Sequence, residues 1–133
     1  MASYLIDTNH ASAFMCSDQP VSERITRLAK RGERFHLCIT VVGELYFAVY
    51  ASKRRRHNMA NLERLLERIA VLDFDMAAAN EYGHIQAELK AKGRPIPGTD
   101  AQIAAIARLH NLTVLSADRH FQHVENLQVE NWL

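Results

Sequence analysis

Thiols are nearly missing from this sequence. Only Cys16 and Cys38 occur, in unrelated segments and without a CxxC spacing, which argues against a disulfide framework and a thiolate zinc site. Two reduced, partly buried cysteines are expected instead. Proline and glycine are scarce, at three and five residues, and neither a low-complexity tract nor an internal repeat is present. No apolar run approaches the roughly 20 residues of a membrane span. Met1-Ala2-Ser3 carries no positive charge, and Asp7 interrupts the apolar Tyr4-Leu5-Ile6 too early for the core of a signal peptide. The expectation is a cytoplasmic protein with no membrane attachment. An excess of one charge is lacking as well: the formal net charge is +1, so any basic surface must be local.

What is present is the composition of an ordinary globular protein, 48% hydrophobic and 23% charged. A chain of 133 residues is expected to form one domain, 1–133, burying roughly two-thirds of the surface its unfolded form exposes. Short apolar strands alternate with helix-length periodic segments, the pattern of βα units around a parallel sheet. Strands are expected near 4–6, 36–39, 71–74, 112–115 and 127–130, and helices near 9–16, 20–31, 41–52, 55–69, 76–92 and 100–110. A short helical turn is expected over 118–122. The fold class is therefore α/β, with a central parallel sheet of about 4–5 strands flanked by helices. Asp75 is placed to cap the helix from Met76, Gly93 to end it, and Pro95 and Pro97 to stiffen the loop that follows. From Ala101 to Leu109 nearly every position is apolar, which marks a buried helix with Asp100 at its mouth.

Four acids stand where strands end or helices begin. Asp7 closes Tyr4-Leu5-Ile6, Glu44 lies one turn beyond Leu37-Cys38-Ile39, Asp100 opens the apolar helix, and Asp118 follows Thr113-Val114-Leu115. Each alone has a plain explanation as a helix cap, a dipole partner (Glu44 behind a Thr40 cap) or a turn residue. Capping does not require the same end of a sheet four times, and in open α/β sheets function collects there. Carboxylates without organised thiols or imidazoles suit Mg2+, a hard cation that prefers oxygen ligands.

These positions carry a resemblance. Leu5-Ile6-Asp7-Thr8-Asn9, Thr40-Val41-Val42-Gly43-Glu44-Leu45, the run from Asp100 to Ala107, and Leu115-Ser116-Ala117-Asp118-Arg119-His120-Phe121 together resemble a PIN domain. More narrowly, with the near-terminal Asn131-Trp132, they are similar to the VapC-type toxins of bacterial toxin–antitoxin pairs. The resemblance implies an endoribonuclease dependent on Mg2+ or Mn2+ that hydrolyses a structured RNA such as a tRNA by metal-activated water. It implies that Asp7, Glu44, Asp100 and Asp118 are the acidic, metal-holding quartet. The fourth position varies in the family, so Asp118 acts through a water or on a second metal. Thr8, Asn9 and Ser116 would hydrogen-bond the carboxylates, or serve as caps and turn residues. A separately encoded VapB-type antitoxin, a homodimer and a toxin–antitoxin hetero-oligomer are further family expectations.

Arg54 and Arg55, within Lys53-Arg54-Arg55-Arg56-His57, and Arg94 and Arg119 near two of the acids, are candidates for RNA phosphate contacts. Solvated helix ends and surface ion pairs explain them equally well. His120 and His123 lack zinc-site spacing and are expected to be surface histidines, with Phe121 and Val124 as core anchors. Tyr46, Phe47 and Tyr50 are expected to serve core or dimer packing rather than base stacking. Two other functions compete. One is a catalytically silent PIN-like module that binds RNA or protein. The other is an Asp-based phosphatase or phospho-acceptor, which Asn9 disfavours because such phosphatases want a second aspartate at that position. Nothing in these residues selects one RNA over another.

Overall fold

The computed structural model describes residues 1–16 and 20–133. Five strands form one sheet: β1 (Ser3–Ile6), β2 (Arg34–Cys38), β3 (Ala70–Leu72), β4 (Thr113–Leu115) and β5 (Val129–Glu130). Their order is β3-β2-β1-β4-β5 and every pairing is parallel. Helices α1 (Thr8–Met15) and α2 (Pro20–Lys30) lie between β1 and β2 in sequence, α3 (Ile39–Tyr50) and α4 (Arg55–Arg68) between β2 and β3, and α5 (Met76–Ala91) and α6 (Gly98–Leu109) between β3 and β4. A 3-10 segment, Arg119–His123, precedes β5.

The chain thus builds from β1 outward in one direction, through β2 to β3, and then returns to β1 to lay down β4 and β5. The reversal falls between β1 and β4, where the loops leaving two adjacent strands diverge and open a crevice. The register there is Tyr4 with Thr113, Leu5 with Val114 and Ile6 with Leu115. The Asp7 N–H continues that ladder onto the Leu115 carbonyl at 3.0 Å. Asp7 and Ser116 therefore emerge side by side.

The central strands are buried on both faces, with Leu5, Ile6, Leu37, Val114 and Leu115 inaccessible to solvent, as an all-parallel sheet between helices requires. Both edge strands are shorter than the sequence pattern suggests. Strand β3 spans three residues rather than 71–74, and β5 two rather than 127–130, because each has a neighbour on one side only. Helix α6 buries Ala101 and every residue from Ile103 to Ala107, as its composition implies, while Leu109 at its end is exposed. It starts at Gly98, two residues early, since Pro97 is extended (φ −55°, ψ 146°) and nothing in Gly98-Thr99 resists helical geometry.

Asp75 caps α5, accepting from the Ala78 N–H at 2.9 Å. Gly93 ends it at φ +67°, a left-handed conformation in which a side chain would be strained. Arg108 fastens α6 to α5: its guanidinium, only 10% exposed, pairs with Glu81 and, at 3.2 Å, with Glu88.

One expectation needs correction, and another is narrowed, for Phe47 and Tyr50, to packing outside the core of this chain. Cys38 is buried, and its thiol is pushed up to about 11 by that burial, but Cys16 is exposed because it caps the end of α1. On α3 the core-facing stripe is Val41, Val42, Leu45 and Val49. That phase turns Phe47 and Tyr50 outward to solvent, leaving Tyr46 half-buried. Among the described residues no helix is long and apolar enough to cross a membrane.

The C-terminal segment returns to the first helix. Trp132 packs edge-on against Tyr4, ring centroids 5.0 Å apart, and beneath the Arg24 guanidinium at 3.9 Å. Its backbone N–H donates to Nε2 of the fully buried His10 at 2.9 Å. Burial holds the His10 ring below its ordinary value of 6.5, despite the opposing pull of Asp7. The unfolded chain therefore takes up a proton at this position before the folded chain does, so the neutral ring's contribution weakens as pH falls below about 6.5. Comparing denaturant midpoints at pH 7 and pH 5, wild type should lose more stability than a His10→Gln variant; equal losses would show that His10 does not govern this range.

Candidate acidic active site

The four acids, from four elements, are joined by one continuous run of hydrogen bonds, and Asp100 and Asp118 come together with His120. Asp7, extended at φ −76° and ψ 167°, is the N-cap of α1, and its Oδ1 accepts from the Thr8 N–H at 2.8 Å. The Thr8 hydroxyl donates to Glu44 Oε1, also at 2.8 Å, binding α1 to α3. On its other side, Asp7 Oδ2 accepts from the buried Ser116 hydroxyl at 2.6 Å. Ser116 Oγ in turn accepts from the Asp118 N–H at 3.0 Å. One hydroxyl thus uses its donor on one acid and its acceptor on the backbone of the next.

Asp118 caps the 3-10 segment, its Oδ1 accepting from the His120 N–H at 2.9 Å. This cap points the His120 ring back into the pocket, where Nδ1 lies 2.7 Å from Asp100 Oδ2 and 3.0 Å from Asp118 Oδ1. Asp100 sits in the first turn of α6 with its side chain 14% exposed. Burial raises its carboxyl above the usual range. The His120 hydrogen bond opposes that rise, and the neighbouring charges of Asp118 and Asp7 add to it. His120 is raised above its ordinary value, chiefly by its hydrogen bond to Asp100.

The sequence-based candidates are therefore divided. Asp7, Glu44, Asp100, Asp118, Thr8 and Ser116 are joined in one network. Asn9 is exposed on α1, and among the described residues no hydrogen bond links it to a carboxylate. Arg54 and Arg55 lie exposed at the start of α4, where Arg55 donates to the Tyr50 carbonyl at 2.9 Å. Arg94 stands 3.4 Å from His123 Nδ1, and Arg119 is exposed. None of the four arginines enters the network.

His120 is a surface histidine as expected, with its side chain 45% exposed, but it also belongs to the acidic cluster through Asp100 and Asp118. The only hint in the sequence is its place two residues after Asp118, where a tight turn folds the ring back over its own cap. Phe121 and Val124 are buried as expected. Thr40 is not the cap of α3, a position held by Cys38. Its hydroxyl donates instead to Gln102 Oε1 at 2.9 Å, tying α3 to α6 beside Glu44 and Asp100. Gln102 carries no signal in the sequence.

The donor chemistry of the pocket is that of a cation site. Carboxylate oxygens predominate, and one ligand atom each from Asp100, Asp118 and His120 lie within 4.8 Å of one another. The repulsion that helps hold Asp100 up is relieved by any positive charge placed among these groups.

The family model described as PIN domain matches residues 4–127 of this chain. A relative named tRNA(fMet)-specific endonuclease VapC, from Shigella flexneri, is 36% identical over 140 residues, covering 99% of each chain. Ribonuclease VapC2 of Haemophilus influenzae is 32% identical over the whole of both chains. Among solved structures, DNA-bound VapBC from Salmonella typhimurium superposes with a TM-score of 0.89, at 28% identity and with both chains fully covered.

Replacing Ser116 with alanine removes the donor to Asp7 and the acceptor for the Asp118 N–H in a buried setting. Ser116→Ala should therefore cost about 1–3 kcal/mol of folding stability in chemical denaturation; a change within error would mean that the pocket does not depend on this link.

Proposed function

This chain belongs to the PIN-domain family and, within it, to the VapC ribonucleases, and from that membership we propose that it is the toxin endoribonuclease of a bacterial toxin–antitoxin pair. Its reaction is hydrolysis of phosphodiester bonds in a structured RNA such as a tRNA, in keeping with the tRNA(fMet)-specific relative. The observation that carries this reading is the hydrogen-bonded quartet Asp7, Glu44, Asp100 and Asp118 at the reversal between β1 and β4.

The quartet fits Mg2+ or Mn2+, and Asp7, Glu44, Asp100 and Asp118 would hold the ion. When bound, such a cation offsets charge on the scissile phosphate and makes a water a stronger nucleophile at neutral pH. The residues of the chain supply position. Thr8 orients Glu44 and Asp7, Ser116 orients Asp7 and the Asp118 backbone, and the Thr40–Gln102 bond holds the two helices that carry Glu44 and Asp100. Fixed carboxylates need no reorganisation as charge develops, which is the advantage of a preorganised site. No side chain need bond covalently to the RNA.

Exposed Arg54, Arg55, Arg94 and Arg119 are available to hold RNA phosphates outside the pocket, a contribution that weakens as salt rises. The partner that restrains the enzyme is a VapB-type antitoxin, a reading supported by the VapBC assemblies among its structural relatives. A homodimer within a toxin–antitoxin hetero-oligomer, acting in the cytoplasm, completes the proposal.

Antitoxin-free protein incubated with total bacterial RNA and Mg2+ or Mn2+ should produce a few discrete new ends by sequencing, and none in EDTA. Asp7→Asn, Glu44→Gln and Asp100→Asn should each lower the cleavage rate by about 10²-fold or more, the scale for losing one preorganised charge-stabilising group. Intact RNA under every metal condition, from folded protein, would favour the silent binding module instead.

A further inference from the structure

The His120 ring is held by the groups it touches. Its backbone N–H is fixed on Asp118 Oδ1, which places the root of the side chain beside the two acids. Its Nδ1 faces two carboxylate oxygens from different elements, at 2.7 Å and 3.0 Å. These separations have a second meaning. Ligands at adjacent corners of an octahedron with bonds of about 2.1 Å lie about 3.0 Å apart. The nitrogen stands from each of the two oxygens at about the spacing of neighbouring ligands on one ion, and all three ligand atoms lie within 4.8 Å of one another.

Resting on the metal-dependent reading above, we propose that His120 supplies Nδ1 as a nitrogen ligand to the divalent cation held by Asp100 and Asp118, and that this nitrogen favours Mn2+ over Mg2+. Mg2+ is a hard ion that prefers an all-oxygen shell, whereas first-row transition ions accept imidazole more readily. The protons balance simply. A neutral ring binds through the Nδ1 lone pair and carries its one hydrogen on Nε2; a doubly protonated ring releases one proton to solvent. His123, three residues on, points instead to Arg94 and serves as the internal control.

The test reads the metal rather than the reaction. Full-length protein, stripped of metal and loaded with Mn2+, is examined by electron spin echo envelope modulation for nitrogen coupled to the ion, and its Mn2+ and Mg2+ affinities are measured by calorimetry without RNA. Wild type and His123→Asn should show nitrogen modulation. His120→Asn should lose it, and its Mn2+-to-Mg2+ affinity ratio should drop about tenfold, at the lower end of what altered metal-site partners produce. His120→Gln replaces His120→Asn if circular dichroism shows the latter misfolded. The proposal is overturned if wild type binds Mn2+ without nitrogen modulation, or if the modulation survives loss of His120. Mn2+ bound through oxygen alone, with RNA cleavage still metal-dependent, removes only the nitrogen ligand. Failure of the wild type to bind either ion removes this proposal and the metal-dependent reading together.

Discussion

Carboxylates repel one another, and this fold is arranged around keeping four of them together. The run of hydrogen bonds from Glu44 through Thr8, Asp7, Ser116, Asp118 and His120 to Asp100 makes that possible. Each link comes from a residue at the mouth of a strand or the first turns of a helix, where backbone N–H groups and small hydroxyls are available to anions. The sheet order matters for the same reason. Only because β4 lies beside β1 does Ser116 reach Asp7, and only because α6 leads into β4 does Asp100 reach the ring of His120.

A second charge cluster is handled in the opposite way. Arg108, nearly buried between α5 and α6, is met by Glu81 and Glu88, and its guanidinium also donates to the Glu125 carbonyl at 3.1 Å. There the opposite charges are supplied within the chain, as a buried ion requires. In the acidic cluster they are not: one imidazole faces a group of carboxylates, and Asp100 is held above the usual carboxylate range first by burial and then by the charges of Asp118 and Asp7. A protein that neutralises one buried charge cluster from within while leaving another negative marks the second as a place for a ligand.

The acids, the buried α6 and the parallel order were legible because each is written locally. A strand ends and an acid follows, or seven of nine residues are apolar in a row. The capping role of Asp75 and the left-handed Gly93 were legible for the same reason. What escaped depends on partners distant in sequence. His120 is defined by Asp100, and Thr40 by Gln102, while His10 is identified by a backbone N–H 122 residues away. The outward turn of Phe47 and Tyr50 escaped for a different reason: in an apolar helix such as α3, composition does not fix the rotation about its axis, and only packing does.

The bond between Ser116 and Asp7 joins residues 109 positions apart. Closing so long a loop is entropically expensive and kinetically late. Strand β1 therefore lacks its neighbour on one side until residues 113–115 are in place. The acidic network therefore has two parts by sequence: the Asp7–Thr8–Glu44 links lie within residues 7–44, whereas those to Asp100, Asp118 and His120 need residues 100–120. The complete set of four acids is thus a property of the closed fold and not of any shorter stretch of the sequence.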